Sequence, residues 1–174
     1  MTRILVAYAT RLGSTAEIAE VIGTVLRTRT YQIDIRPVEE VQSVEEYAAV
    51  VVGSAIRGGK WLPSALTFLE KHHKALSALP VAYFTVCMTL ADGTQESVEV
   101  ASSYHDLLYR SFPDISPVSI GMFAGEYDPK HVAPLVRLLA RGLGVTEGDW
   151  RDWQEIGDWS RTLLDIFDER LGTA

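Results

Sequence analysis

Apolar positions along the chain fall into two patterns, short consecutive blocks and longer stretches spaced three or four apart. Ile4, Leu5 and Val6 centre a block at 3–9, and Val50, Val51 and Val52 centre another at 48–53. Blocks 80–87 and 116–123 are similar. Consecutive apolar residues suit parallel strands covered on both faces, with 48–53 the most central. Residues 31–38 alternate around Ile33 and Ile35, which predicts a strand at a sheet edge. Between the blocks, Ile18, Ile22, Val25 and Leu26 share one helical face, and Ser14 with Glu17 forms a capping box. Pro63 opens a helix carrying Leu66, Leu69 and Leu76, and one helix is expected over 95–110. Asp128-Pro129 starts another over 129–143, with Val132, Leu135, Val136 and Leu139 on one face, a stripe expected to be core. Gly142, Gly144 and Gly148 break it, and a last helix spans 153–171. Strands alternating with helices across short loops predict one α/β domain over 1–174, built on a five-stranded parallel sheet.

Composition narrows the partners. The chain has 174 residues, 47% of them hydrophobic and 22% charged, which excludes a disordered chain. Sixteen Lys and Arg against 23 Asp and Glu leave a net charge of −7, which repels phosphate backbones and excludes nucleic acid as a partner. The single cysteine, Cys87, excludes a disulfide framework and a cysteine-cluster metal site, and no metal site is expected. No apolar run reaches the ~18 residues needed to span a bilayer, and the chain starts directly into a strand. A cytoplasmic protein is expected. His72 and His73, near the end of a Lys-rich helix, are expected to be solvated, as are Glu39, Glu40, Glu45 and Glu46. Trp150, Trp153 and Trp159 are expected to pack the last helix on the sheet.

Candidate chemistry lies in the loops that follow strands one, three and four, because open parallel sheets bind ligands beyond the carboxyl ends of their strands. Thr10-Arg11-Leu12-Gly13-Ser14-Thr15 leads from the first strand into a helix N-terminus. Backbone N–H groups, the helix dipole and the Thr10, Ser14 and Thr15 hydroxyls suit a phosphate, and Gly13 permits close backbone approach. Neither a Walker loop nor a Gly-x-Gly-x-x-Gly fingerprint is present, which fits a phosphate that is held rather than transferred. Ser14 and Thr15 as simple helix caps are the competing reading. After the third strand comes Ser54-Ala55-Ile56-Arg57-Gly58-Gly59-Lys60-Trp61. Gly58 and Gly59 admit the edge of a flat ring, Ile56 or Trp61 offers an apolar wall, and Arg57 or Lys60 offers positive charge. Taken alone, the same segment is an exposed loop with a snorkelling Trp. Thr85-Val86-Cys87-Met88 ends the fourth strand, where Cys87 is expected to be a buried small hydrophobe.

The run 8–15 together with 53–61 resembles the flavodoxin-domain protoporphyrinogen dehydrogenases. Phe123-Ala124-Gly125 and Asp152-Trp153 extend the likeness, while Leu12 stands where many flavodoxins carry Thr. The resemblance implies a flavodoxin-like three-layer sandwich of strand order 2-1-3-4-5, with non-covalent FMN as cofactor. It implies electrons passing from protoporphyrinogen IX to a respiratory quinone, with peripheral contact at the inner membrane face. The segment 126–150 is shorter and less basic than in membrane-associated members. Because the flavin performs the chemistry, no catalytic nucleophile or general base is assigned. Two alternatives stand beside this enzyme: a flavodoxin-type carrier between redox partner proteins, and an interaction module that has lost FMN. A receiver domain is excluded, since Thr10-Arg11 and Ser54-Ala55 occupy the places its acidic residues require. Oligomeric state is not encoded in any of these patterns.

Overall fold

The computed structural model describes residues 1–142 and 146–172. In chain order the elements are β1 (Arg3–Ala9), α1 (Ser14–Leu26), β2 (Gln32–Pro37), β3 (Ala49–Arg57), β4 (Lys60–Trp61), α2 (Pro63–Leu76) and β5 (Val81–Cys87). There follow α3 (Gln95–Ser103), α4 (Asp106–Ser111), β6 (Ser119–Ala124), β7 (Glu126–Tyr127), α5 (Pro134–Gly142), β8 (Gly148–Asp149) and α6 (Trp153–Leu171). The five long strands are parallel in the order β2-β1-β3-β5-β6. With the short β4 set aside this is the expected 2-1-3-4-5 order, with β2 at an edge and β3 in the middle. Helices on both faces complete the flavodoxin-like three-layer α/β sandwich.

Strand periodicity divides the core. Side chains alternate across a strand, so Leu5, Ala7 and Ala9 face one side while Ile4 and Val6 face the other. The first side joins Val50, Val52 and Tyr83 to Phe68, Leu69 and Leu76 of α2 and Leu108 of α4. The second joins Val51, Ala82 and Phe84 to Ile18 and Ile22 of α1 and to Ile156, Leu163 and Phe167 of α6. All seven residues of β5 are buried, so no water reaches its central stretch from either side.

Several local expectations change in the folded chain. The capping box does not form: Gly13 is the N-cap of α1, Ser14 is already helical, and no side chain caps the end. The single helix expected over 95–110 is two, because the backbone turns at Tyr104-His105 and draws the His105 ring into the interior, 3% exposed. Serine hydroxyls feeding the preceding turn, Ser102 to the Val98 carbonyl and Ser103 to that of Val100, loosen its end. The Asp128 cap drives only the 3₁₀ turn Pro129–His131, and α5 starts at Pro134, since a residue preceding proline avoids the α region. The α5 stripe is not core. Leu135, Val136, Leu138 and Leu139 are 68%, 49%, 67% and 60% exposed. Leu143 and Gly144 lie outside the described residues.

His72 is not solvated. It is buried against Phe68, its ring centroid 4.9 Å away, whereas His73 stays near the surface 3.5 Å from Asp114. Of the three tryptophans, Trp159 packs α6 onto the sheet through an edge contact with Phe123 and a 3.0 Å bond to the Ser119 hydroxyl. Trp153 is 41% exposed beneath the Arg151 guanidinium.

Two outcomes follow from this core. A Cβ at Gly53 would sit 1.9 Å from Cζ of the fully buried Phe84. Gly53→Ala therefore lowers stability by about 1–3 kcal/mol, read as a lower urea midpoint at unchanged m-value. Burial also holds the imidazoles of His72 and His105 below their usual range, near 6.5. Below that pH the unfolded chain takes up protons that the folded chain refuses, so stability falls as pH drops through the gap. Urea titrations from pH 8 to 5 measure the decline, which is shallower in His72→Gln.

Candidate functional site

β1, β3, β5 and β6 end along the same edge of the sheet, and a cavity of about 530 Å³ opens there. That volume lies within the ~300–1,000 Å³ of small-molecule sites. Its floor and sides come from the three loops that the sequence singles out and from a fourth that it does not.

From the first loop, Thr10, Arg11, Leu12 and Ser14 line the cavity. Gly13 is left-handed, φ 101°, and its N–H donates to Thr10 Oγ1 at 3.0 Å, closing the turn onto the start of α1. Thr15 is fully buried, and its Oγ1 has no hydrogen-bond partner. Thr15 is not among the cavity-lining residues; a buried hydroxyl left so costs stability, and an anion seated on the loop would supply the acceptor it lacks. With the unpaired first-turn N–H groups of α1, this donor set fits a phosphate.

Ala55, Ile56 and Arg57 of the second loop line the cavity, while the rest of that segment does other work. Gly58 and Gly59, φ 58° and 73°, make the tight turn of a hairpin in which Ile56 opposes Trp61 and Arg57 opposes Lys60. This hairpin replaces the expected exposed loop. Lys60 points to solvent, and Trp61 is neither snorkelling nor part of the cavity wall: it is 2% exposed in the core, 5.1 Å from the Tyr83 ring. The Trp61 indole N–H donates to Thr85 Oγ1 at 2.8 Å, and Thr85 Oγ1 lies 2.9 Å from His105 Nε2. Ser54 is buried too, its hydroxyl accepting from the Leu62 N–H at 2.9 Å and donating to the Ala55 carbonyl at 2.8 Å. Thr85 and Ser54 therefore stand behind the wall, and the exposed strand ends form it.

Val86, Cys87 and Met88 line the cavity from the end of β5, where Val86 is the register partner of Ala55. Cys87 is 5% exposed, and burial raises its thiol pKa, so it meets the cavity as a neutral, weakly polar group. Among the described residues no group of three or more His, Cys, Asp or Glu could hold a metal ion.

The fourth wall is the segment after β6. Gly125, Glu126 and Tyr127 border the cavity, and Val132, Ala133 and Val136 close its outer side. A Cβ at Gly125 would stand 3.3 Å from Val86 and 3.9 Å from the Ser14 hydroxyl, so this strand end presses close to the phosphate loop. β7 and β8 pair into a two-stranded ribbon. The nearly buried Arg151 side chain pins it, bonding Asp149 and Glu17 at 2.7 Å and Glu126 at 3.1 Å while its guanidinium stacks on Trp153 at 4.6 Å. Its hydrogen bonds to Asp149 hold that carboxyl below the usual range and push the guanidinium up. One signal for this wall was available in the sequence: Gly125 ends the fifth strand, on the same edge as the other three loops. The Arg151 clamp spans 134 residues to Glu17 and leaves no local trace.

A family model described as flavodoxin domain matches residues 5–141. The chain is 24% identical over 177 residues to protoporphyrinogen IX dehydrogenase (quinone) of Escherichia coli strain K12, covering 96% of this chain and 97% of that one. It is 28% identical over 164 residues to a protein of the same name from Leishmania major, covering 91% of this chain and 70% of that one. Its fold is similar to that of oxidised flavodoxin 1 from Bacillus cereus, with a TM-score of 0.53 at 16% identity over 84% of this chain and 100% of that one. The likeness spans the sheet and the cavity loops together, and the chain belongs to the flavodoxin-domain family, as an FMN redox protein.

Proposed function

We propose that the protein is an enzyme that oxidises a reduced, largely apolar organic substrate of the porphyrinogen type and delivers the electrons to a quinone. The observation that supports this most directly is the position of α5 and of the two residues that lead into it. Val132, Ala133 and Val136 border the cavity, and Leu135, Leu138 and Leu139 continue outward as an exposed apolar face. A mouth of this kind suits an apolar molecule better than the polar rim through which electron-carrier proteins meet. The two relatives named for protoporphyrinogen and quinone support the same reading.

When bound, FMN supplies one- and two-electron transfer at its ring. The chain supplies position and electrostatics. N–H groups at the start of α1 and the Thr15 hydroxyl hold the phosphate, while Ile56, Val86 and Met88 offer apolar walls for the ring. Arg11 and Arg57 at the cavity rim favour negative charge gathering on a reduced ring or on an acidic substituent of the substrate.

The same face of α5 supports work against a membrane surface. Residues 129–146 include Lys130, Arg137 and Arg141 and no Asp or Glu, in a chain whose net charge is −7. Exposed leucines beside segregated cations suit an anionic lipid surface. Among the described residues no helix is long and apolar enough to cross a membrane.

Thr15→Val removes one donor to a charged acceptor and raises the FMN dissociation constant about tenfold, measured by flavin fluorescence quenching, while Thr15→Ser preserves it. For the reaction, the FMN-loaded protein is supplied anaerobically with protoporphyrinogen IX and a quinone, and porphyrin fluorescence is followed. Turnover is expected, and Leu135→Glu/Leu138→Glu/Leu139→Glu lowers kcat/KM about tenfold with FMN retained and abolishes sedimentation with phosphatidylglycerol vesicles. No turnover with any quinone, alongside rapid electron transfer to a carrier protein, overturns the enzyme reading.

A further inference from the structure

The break between α3 and α4 places two adjacent side chains against both inner loops of the cavity. Tyr104 Oη lies 2.9 Å from Thr89 Oγ1, in the 3₁₀ turn Met88–Asp92 that continues from the Val86–Met88 wall. The Tyr104 ring also lies under the hairpin turn, 3.6 Å from where a Gly59 Cβ would stand. Its neighbour His105 is buried, with Nδ1 3.2 Å from the Ser102 carbonyl and Nε2 2.9 Å from Thr85 Oγ1. A carbonyl only accepts, so Nδ1 carries the proton and Nε2 of the neutral ring is an acceptor. The Thr85 hydroxyl then donates to Nε2, and its oxygen accepts the Trp61 indole N–H.

This chain of three bonds runs from the helix break through β5 into the hairpin and uses each donor once. Trp61 sits directly opposite Ile56, and Thr85 directly precedes Val86 and Cys87.

We propose that Tyr104 and His105 are positioning residues of the flavin site, joining the Ile56–Arg57 wall to the Val86–Met88 wall and setting the gap between them. Neither lines the cavity; each acts through residues that stand beside its walls. The inference rests on reading the cavity as the place of the flavin ring.

The test uses full-length protein in its FMN-loaded form, with Thr15→Val as a reference variant. His105→Leu deletes the acceptor for Thr85 and strands the Trp61–Thr85 pair, and is expected to raise the FMN dissociation constant about tenfold and alter the visible circular dichroism of the bound flavin. His105→Gln restores an acceptor, and both properties return toward those of the parent. Tyr104→Phe removes a single hydroxyl from a half-buried ring, so it folds, and it shifts the flavin dichroism and midpoint potential. If His105→Leu does not fold, Tyr104→Phe decides the question. The inference is overturned if His105→Leu and Tyr104→Phe, or Tyr104→Phe where the former does not fold, lower the melting temperature yet keep the parent dissociation constant, dichroism and potential, while Thr15→Val weakens FMN. If Thr15→Val also binds as the parent does, the assignment of the cavity itself falls.

Discussion

The rest of the structure depends on one constraint: β1, β3 and β5 are sealed on both faces. Strands so enclosed tolerate almost no polar side chain, because each such group needs a partner inside the core. Chemistry is therefore displaced to the ends of the strands, and in a parallel sheet the carboxyl ends share one edge. The cavity follows from that arrangement, with loops after β1, β3, β5 and β6 bordering a single space. Gly53 is part of the same constraint, since the fully buried Phe84 ring occupies the volume that any larger residue at the middle of β3 would need.

Two polar residues that enter the sheet, Ser54 and Thr85, find hydrogen-bond partners beyond their own strands. Ser54 meets the Leu62 N–H, and Thr85 meets Trp61 and His105. These bonds stiffen the two inner walls from behind and leave the wall itself to Ile56, Val86, Cys87 and Met88. Fixed donors and apolar surfaces are what a bound cofactor requires of its protein, since reorganisation at the moment of reaction then costs little. Arg151 does the corresponding work on the outer wall, binding three carboxylates from β7, β8 and α1 beneath one side chain.

α5 departs from the pattern of the other helices. None of its residues is buried, its leucines are more than half exposed, and it lies at the mouth of the cavity. Helices α1, α2 and α6 pay for their order by burying a stripe against the sheet; α5 keeps its stripe outward, next to the site.

Fold class and edge position were legible in the sequence because consecutive apolar residues leave a strand no exposed face and alternation leaves it one, whereas the strand order came only with the resemblance carried by the loops after β1 and β3. The extent of α6 was equally plain from its spacing. Ten of the eighteen residues marked in three loops line the cavity, because the position of a loop after a strand decides which edge of the sheet it occupies. The remainder needed tertiary structure. Trp61 and His72 carry polar atoms that argue for the surface until a buried setting accepts their rings, and Ser14 looks like a cap until Gly13 takes the left-handed turn before it. The split at Tyr104-His105 has no breaker residue to announce it; distant hydroxyls on Thr85 and Thr89 hold the side chains there. The stripe of α5 shows the same limit in reverse. Helical spacing records that one face is apolar, and only the arrangement of neighbouring elements decides whether that face meets the core or stays open beside the cavity.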